Sequence, residues 1–274
     1  MSKFTIVNQE FLPAETASVL ITDLAIQRGY GIFDFFKTID GRPVFLEDHL
    51  DRFYNSAAAM HLTVDLSREE LKTLLLKLIE KNGIADSGIR ITLTGGYSPD
   101  GYGIAKPNMI ITQTEMILSK QISLEGISLI THQYQRQLSY AKTLDYLMAV
   151  WLQPVIKEKG ADDVLYHNNG IVSECPRANF FIIDQSGHVV TTRENLLKGI
   201  IRKHVLEIAG GLNLLQHRDI TLDDLKNCKE AFITSSTKNI LPVTKIDGRV
   251  VGDGYAGPVS KLLSEKLQLK AAQH

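Results

Sequence analysis

The sequence predicts an α+β fold with two lobes. Strand-like segments dominate, and helices fall irregularly among them, unlike the regular alternation of a Rossmann fold or a βα barrel. The chain has 274 residues, a length that fits two modest hydrophobic cores. A polar stretch without helical periodicity, residues 119–125, separates two groups of strands. We therefore predict a small N-terminal α/β lobe over residues 1–118, a linker over residues 119–125 and a large C-terminal lobe over residues 126–274.

Two Asp-Gly pairs predict β-hairpins. The first pair begins at Asp40 and lies between two apolar, strand-like runs within residues 32–46. The second begins at Asp247, within residues 240–251. An Asp-Gly pair readily adopts the positive φ angles that a two-residue hairpin turn requires. Each of these segments is therefore expected to fold back on itself.

Apolar periodicity predicts two helices in the N-terminal lobe. The first covers residues 48–61, where apolar residues recur at i, i+3, i+4 and i+7 with Arg52 beside the apolar face. The second begins at Ser67, which is placed to form a capping box with Glu70. Gly83 is placed to end this helix in a left-handed conformation.

The other predicted elements rest on the same two periodicities. Strands are expected at residues 89–96, 108–116, 127–133, 164–174, 178–184 and 230–236, and helices at residues 144–159, at residues 199–210 and from Pro258 onward.

Composition limits the classes of function. The 44% of hydrophobic and 22% of charged residues are typical of folded proteins. With 30 basic and 31 acidic side chains, the chain has no charge excess that would attract a nucleic acid or an anionic membrane. The first residues lack a signal or membrane-spanning pattern. Cys175 and Cys228 are too few and too far apart for a disulfide framework or a thiolate metal site, so we expect a cytoplasmic protein without a metal.

Single residues leave the function open. Lys142 in YAKTLDYL could form a Schiff base, but most lysines are simply solvated. Glu174 beside an apolar strand could be a cofactor ligand or a surface group. The helix expected from residue 199 and the hydroxyl cluster at residues 234–237 would each suit a phosphate. Motifs of dinucleotide-binding proteins, P-loop proteins, zinc proteases and serine hydrolases are missing.

Five segments in this order resemble the class IV aminotransferases, the fold type IV family of pyridoxal phosphate enzymes: HLDRFYNSA, YAKTLDYL, VSECPRANFFII, LLKGIIRKHV and FITSSTKNILPV. Together they extend over most of the chain. The resemblance implies a two-lobed, D-amino acid aminotransferase-like fold and pyridoxal 5'-phosphate as the cofactor. It also implies small-molecule substrates, an amino acid and a 2-oxo acid, and a homodimer.

The resemblance assigns three residues to contacts with the ring of the cofactor. Lys142 would hold the cofactor as a Schiff base and carry the substrate proton. Glu174 matches the carboxylate that keeps the pyridine nitrogen protonated. Tyr146 is placed to hydrogen-bond the phenolic oxygen. Pro154 interrupts a helix that is continuous in relatives, so we expect a kink there.

The resemblance also assigns residues to the binding of the cofactor phosphate. Arg52 matches an arginine whose planar fork can hold two phosphate oxygens. The backbone N–H groups of Ile200 and Ile201 and the side chains of Ser236 and Thr237 complete the expected site. Many family members have threonine in place of Ile201, but a backbone contact does not depend on the side chain.

The usual carboxylate-binding loop of D-amino acid transaminases is altered. That loop resembles RGTSPRAH in typical members, whereas TGGYSPDGYG keeps Ser98 and Pro99 but has Asp100 in place of the arginine. The tyrosine-arginine-proline segment of branched-chain transaminases is also missing. We therefore predict that Arg28 and Arg177 bind the substrate carboxylate, with a structural salt bridge as the alternative.

Tyr30 and Tyr97 complete the predicted substrate-binding residues. Two arginines would suit dicarboxylic substrates such as glutamate and 2-oxoglutarate. The sequence therefore favours a transaminase for D-amino acids such as D-glutamate or D-alanine. The alternatives are a branched-chain L-amino acid transaminase, an aminodeoxychorismate lyase, or a non-catalytic binding protein on the same fold.

Overall fold

The computed structural model describes residues 2–117 and 126–273, so the predicted linker at residues 119–125 lies outside the described residues. The described chain divides into two compact units. The first consists of residues 2–117 and Ala141–Asp145, and the second of residues 126–140 and 146–273.

The segment Ala141–Asp145 differs from the predicted boundaries, which had placed Lys142 in the C-terminal lobe. Backbone hydrogen bonds explain this difference. The N–H of Phe33 donates to the carbonyl of Lys142 at 2.9 Å, and the N–H of Leu144 donates to the carbonyl of Gly31 at 2.9 Å. The lysine segment therefore lies along a strand of the first unit.

The first unit is built on one antiparallel sheet. Its elements among the described residues are β1 (Phe4–Val7), β2 (Glu10–Pro13), α1 (Leu24–Arg28), β3 (Gly31–Ile39), β4 (Arg42–Pro43), α2 (Leu46–Ala59), α3 (Arg68–Asn82), β5 (Ser87–Thr94) and β6 (Met109–Glu115). The sheet order is β2-β1-β6-β5-β3-β4. Alternate residues of its central strands are buried against α2 and α3 in one core, as the period of two along a strand requires.

Local sequence signals explain how these elements begin and end. Asp40 and Gly41 have φ angles of 50° and 76° and join β3 to β4, which confirms the first hairpin, although β4 has only two residues before α2 starts. Ser67 forms the predicted capping box with Glu70, and Gly83 ends α3 with a φ of 62°. The N-terminal hairpin of β1 and β2 and the short helix α1 were not predicted.

The second unit is built on a larger mixed sheet. Its elements among the described residues are β7 (Ile127–Gln133), α4 (Leu147–Trp151), α5 (Gln153–Glu158), β8 (Asp163–Asn168), β9 (Ile171–Val172), β10 (Glu174–Cys175), β11 (Ala178–Ile183), β12 (Val189–Val190), α6 (Ile200–Gly211), β13 (Leu215–Gln216), β14 (Ile220–Thr221), α7 (Asp224–Asn227), β15 (Glu230–Ser235), β16 (Asn239–Ile246), β17 (Arg249–Val250) and α8 (Pro258–Ala271).

The main path of this sheet runs β13-β12-β11-β15-β16-β7-β8-β9-β14, with β10 on β11 and β17 on β16. Strand β7 is parallel to both of its neighbours, β16 and β8. Asp247 and Gly248 have positive φ angles of 48° and 77° and join β16 to β17, which confirms the second predicted hairpin.

Two predicted elements are divided in the structure. The helix expected over residues 144–159 is the pair α4 and α5, with Leu152 between them and Pro154 in the first turn of α5, as its missing N–H favours. The strand expected over residues 164–174 is β8, β9 and β10, because Asn169 and Gly170, with φ angles of 48° and 81°, turn the chain. The α+β fold class itself is confirmed.

Within the described ranges, no helix is long and apolar enough to cross a membrane.

Candidate active site

Lys142 is held in the first unit by its own backbone. Its carbonyl accepts from Phe33, and its N–H donates to the Ser56 hydroxyl at 3.1 Å. Its Nζ lies 4.5 Å from the centroid of the Phe33 ring. The next residue, Thr143, has a buried Oγ1 without a hydrogen-bond partner among the described residues. A buried polar atom of this kind is rare in a folded protein and is normally satisfied by an ordered water or a ligand.

Arg90 is a second cation on the same aromatic ring, and sequence reasoning missed it. Its Cζ lies 3.7 Å from the centroid of Phe33, close enough for a cation–π interaction. Ile89 and Ile91 on either side of it are buried in the core, so Arg90 points to the opposite face of the sheet. The sequence signal that could have identified Arg90 is a charged residue that alternates with apolar residues along a predicted strand.

Arg52 lies on α2 and is bound to Asp34 on β3. Its Nε and Nη2 donate to the two oxygens of Asp34 at 2.7 and 2.8 Å. Asp34 is fully buried, and the side chain of Arg52 is only 11% exposed. His49, one turn before Arg52, also contacts Asp34. The side chain of Arg52, which is predicted to bind the cofactor phosphate, is therefore held in a fixed orientation.

The three substrate candidates of the first unit differ in their availability. Arg28 is exposed in the last turn of α1, where its Nη1 donates to the Gln27 carbonyl at 3.0 Å. Tyr30 is half-buried, and its hydroxyl donates to the Met60 carbonyl at 2.7 Å, so that hydroxyl already has a structural partner. Burial also raises the pKa of Tyr30. Tyr97 is half-buried and pairs with Asp23 in an isolated bridge.

The side chain of Asp100 accepts hydrogen bonds from other residues of its own loop. One of its carboxylate oxygens accepts from the Ser98 hydroxyl at 2.8 Å and from the N–H groups of Tyr102 and Gly103 at 2.9 and 2.8 Å. The bonds from Gly103, Tyr102 and Ser98 lower the pKa of Asp100 to about 2. The residue that replaces the expected arginine is therefore a turn-forming anion, which would repel a substrate carboxylate.

A cavity of about 360 Å³ in the first unit is lined by Tyr97, Leu93, Lys106 and Asp65 among others. Neither Arg52 nor the segment Ala141–Asp145 contributes to its wall. We therefore do not assign the reaction to this cavity.

Glu174 lies on β10 of the second unit and is 5% exposed. Its Oε1 lies 3.1 Å from Nε of Arg136, and its Oε2 accepts from the N–H of Leu197 at 2.9 Å. Arg136 also donates to the Ser139 carbonyl at 2.6 Å. A buried carboxylate needs such compensation to remain charged. Arg136 was not recognised from sequence, because 38 residues separate it from Glu174.

Helix α6 begins at Ile200 after the N-cap Gly199. The N–H groups of Ile200 and Ile201 donate to no described residue, as is usual for the first turn of a helix. Asn179 donates to the Leu197 carbonyl at 2.7 Å and lies against Gly199, where a Cβ would be 2.2 Å from its Oδ1. Glycine at this position thus permits close packing at the helix N-terminus.

The hydroxyl cluster continues from β15 into the turn before β16. Thr234 has a buried Oγ1 without a partner among the described residues. Ser235 contacts the hydroxyl of Thr237 at 3.1 Å, Ser236 is half-buried and Thr237 is exposed. Thr234 is therefore the member of the hydroxyl cluster whose hydroxyl is buried and has no partner among the described residues.

Tyr146 and Arg177 are the other predicted site residues of the second unit. Tyr146 is half-buried at the start of α4. Arg177 is exposed before β11, and its charge lowers the pKa of Asp163, which burial raises overall. No ion pair of Arg177 within 4.0 Å is found in the described part of the chain, so its guanidinium is not fixed by a salt bridge.

Comparison with known proteins identifies the family. The model of the family described as amino-transferase class IV matches residues 31–246, most of the chain. The chain belongs to the class IV aminotransferases. This confirms the family that the five sequence segments resembled, the prediction of an aminotransferase, and pyridoxal 5'-phosphate as its cofactor.

Relatives of this aminotransferase are named for two different classes of substrate. The D-alanine aminotransferase of Bacillus licheniformis is 31% identical over 270 residues, 95% of this chain and 94% of that protein. The T.th. branched-chain amino acid aminotransferase, solved with pyridoxamine 5'-phosphate, has a TM-score of 0.91 at 25% identity and covers 100% of this chain and 96% of that one. The branched-chain aminotransferase of Thermoproteus uzoniensis, solved with norvaline, has a TM-score of 0.87 at 25% identity, with 98% and 94% covered.

The described residues of this aminotransferase fit its cofactor. A phosphate needs hydrogen-bond donors, and Ile200, Ile201 and Thr234 have donors that no described residue uses. Arg202, the third residue of α6, also has a buried Nε without a described partner. Orphaned buried donors at a helix N-terminus are what an anionic ligand would satisfy.

Proposed function

We propose that this aminotransferase takes the amino group of D-amino acids, with D-alanine and D-glutamate as its donors, and returns it to 2-oxo acids. The match to D-alanine aminotransferases along nearly the whole chain carries this proposal. The length of the TGGYSPDGYG loop and its Ser98-Pro99 pair also follow that subclass.

The proposed chemistry divides among Lys142, Glu174 and Tyr146, with Arg136 as the partner of Glu174. Bound pyridoxal phosphate supplies an electron sink for the electrons left on the substrate Cα when its proton is removed. Lys142 holds the cofactor through its amine and, once released, carries this proton. Glu174 would accept a hydrogen bond from the protonated pyridine nitrogen and so keep it protonated, while Arg136 compensates the buried charge of Glu174. Tyr146 would donate to the phenolic oxygen.

The phosphate would be held by Arg52, the N–H groups of Ile200 and Ile201, and the hydroxyls of Ser236 and Thr237. Arg52 is already oriented by Asp34, and the first turn of α6 has N–H groups that donate to no described residue. Charge-assisted bonds of this kind are about twice as strong as neutral ones.

For the substrate carboxylate we propose a set of three arginines. Arg28 and Arg177 are exposed and make no ion pair in the described ranges. Arg90 joins them because it contacts the same ring as Lys142. Asp100 cannot take this role, since it is an anion. Tyr30 and Tyr97 would then contact the rest of the substrate through their rings.

The decisive experiment is an absorbance titration of the purified holoenzyme with single D- and L-amino acids. D-alanine and D-glutamate should convert the lysine-bound form of the cofactor to its aminated form, and L-leucine should not. Lys142→Ala should abolish attachment that borohydride can trap, while noncovalent binding remains. If no donor changes the spectrum, the proposed transamination is wrong.

A branched-chain L-amino acid transaminase is the second candidate. The similarity to two solved branched-chain enzymes favours it. An apolar substrate pocket would then include Tyr30, Phe33 and Phe35. A response to L-leucine and none to D-alanine in the same titration would establish this alternative.

We also propose a cytoplasmic homodimer. Leu147, Val150 and Trp151 lie at i, i+3 and i+4 on α4 and are 78%, 67% and 63% exposed. Apolar side chains exposed together on one helix face are typical of an interface. Cys175 and Cys228 are both free thiols, which fits a reducing compartment.

A further inference from the structure

Asp34 has a complete set of hydrogen bonds. Its Oδ2 accepts from Nε of Arg52, and its Oδ1 accepts from Nη2 of Arg52 at 2.8 Å, from the N–H of Phe35 at 2.7 Å and from Nδ1 of His49 at 2.7 Å. Such saturation allows a fully buried carboxylate to stay charged.

His49 contacts both members of this pair through Nδ1. Burial lowers its pKa, and its ring nitrogen must be the donor to Asp34, whose charged oxygens only accept. The same nitrogen is 3.3 Å from Nη2 of Arg52, a contact between two donors in this tautomer. The ring of His49 therefore lies beside the edge of the guanidinium that faces Asp34.

We propose that Asp34 is the positioning residue of the cofactor phosphate: it holds Arg52 by one edge and leaves the other edge, with Nη1, for the phosphate oxygens. Nη1 makes no hydrogen bond to any described residue. This inference rests on the proposed role of Arg52 in phosphate binding.

The pairing has a defined physical effect. A free arginine side chain loses much rotational freedom when it binds, and a bidentate partner removes that freedom in advance. Asp34 also neutralises the charge of Arg52, so the pair attracts a phosphate through aligned donors and less through net charge. If orientation dominates, a neutral residue in place of Asp34 should weaken phosphate binding. If net charge dominates, the same change should strengthen it.

The test compares two ligands that differ only in the phosphate. Dissociation constants of pyridoxal 5'-phosphate and of pyridoxal are measured on cofactor-free protein carrying Asp34→Asn, Arg52→Gln or both changes. We expect Asp34→Asn to weaken binding of the phosphorylated ligand at least about tenfold, the order expected for loss of one charge-assisted hydrogen bond. Binding of pyridoxal should change less than about twofold, and Asp34→Asn should have no further effect when Arg52 is already replaced.

Asp23→Asn is the matched control. Asp23 is also fully buried in the first unit, and its carboxylate accepts from Ala25, Thr94 and Asn108 at 2.8, 2.7 and 2.8 Å. The same chemical change there should leave both dissociation constants unchanged, with folding followed by circular dichroism. Equal losses for the two ligands with Asp34→Asn, or tighter binding of the phosphorylated one, would overturn the proposal.

Two further measurements separate the possible failures. Asp34→Glu keeps the charge but moves it by one methylene, and should weaken binding of the phosphorylated ligand alone; this variant decides the matter if Asp34→Asn does not fold. If Arg52→Gln has no effect on that ligand, both the phosphate role of Arg52 and the positioning role of Asp34 are wrong. If the unaltered protein forms no borohydride-trappable attachment at Lys142, the proposed function itself fails.

Discussion

Asp34 and His49 link the stability of the first unit to pH. Burial favours the neutral form of Asp34, but Arg52 and His49 outweigh it and hold the pKa of Asp34 well below its usual range. Burial lowers the pKa of His49. Both groups therefore bind protons more readily in the unfolded chain, so acid destabilises the fold.

We expect the free energy of unfolding to decrease in two stages as the pH is lowered. The His49 contribution is present above about pH 6.5, the unfolded pKa of histidine, and is lost below it as the pH passes through the folded pKa. The Asp34 contribution is present above about pH 3.9 and is lost below it. Urea unfolding at several pH values should show that His49→Gln flattens the upper stage. Identical slopes for both proteins would contradict this assignment.

Removal of a substrate arginine should affect KM more than cofactor binding. We expect Arg90→Gln to raise the KM for D-alanine at least about tenfold, because a charge-assisted bond to the carboxylate is lost. The absorbance of the lysine-bound cofactor should remain. Arg28→Gln and Arg177→Gln, measured in parallel, rank the three candidates. An unchanged KM in Arg90→Gln would remove this residue from the site.

The sequence was informative for some site residues and not for their partners. Lys142 and Glu174 could be proposed as site residues because ordered motifs surround them. Arg136 and Asp34 could not, because their partners are 38 and 18 residues away and only the folded sheet brings them together. Arg90 gave a weak signal as a charged residue within an apolar strand.

At the scale of secondary structure, helix α8 depends on a carboxylate from another element. Glu230 on β15 accepts from the N–H groups of Val259 and Ser260 at 2.9 and 2.8 Å, which caps the first turn of α8. Gly257 makes this possible, since a Cβ there would lie 2.1 Å from the carboxyl carbon of Glu230.

Two glycine substitutions should therefore have opposite effects. Gly257→Ala should destabilise the protein by about 1–3 kcal/mol, because the cap must move away. Gly210→Ala in α6 should stabilise it by about 0.5–1 kcal/mol, since a Cβ there meets nothing within 4 Å and alanine favours a helix. Thermal unfolding of both variants tests this, and a stable Gly257→Ala protein would show that Glu230 is not required as a cap.

Elements with a local signal were predictable. The capping box of Ser67 and the Asp-Gly turns involve residues a few positions apart, so their geometry follows from the sequence itself. The helix expected from residue 144 begins only at Leu147, because the preceding residues pair with β3. No helical periodicity could reveal a bridge between Thr143 and Ile32.

For the whole molecule, the proposed homodimer can be tested with the single tryptophan of the chain, Trp151. It is 63% exposed in the isolated chain, so burial by a partner should shift its emission to shorter wavelength. We expect a dimer mass in analytical ultracentrifugation and a red shift on dilution. Val150→Glu should favour the monomer, whereas Tyr255→Glu, at another exposed position of the second unit, should not. A monomer at all concentrations would contradict the proposal.

The path of the chain has a consequence for its synthesis. The described backbone belongs to the first unit up to residue 117, to the second unit from residue 126, and to the first unit again over Ala141–Asp145. A ribosome therefore synthesises β1 to β6, and then strand β7 of the second unit, before it reaches Lys142. The first unit stays incomplete during this interval, and the residue proposed to hold the cofactor is among the last that it receives.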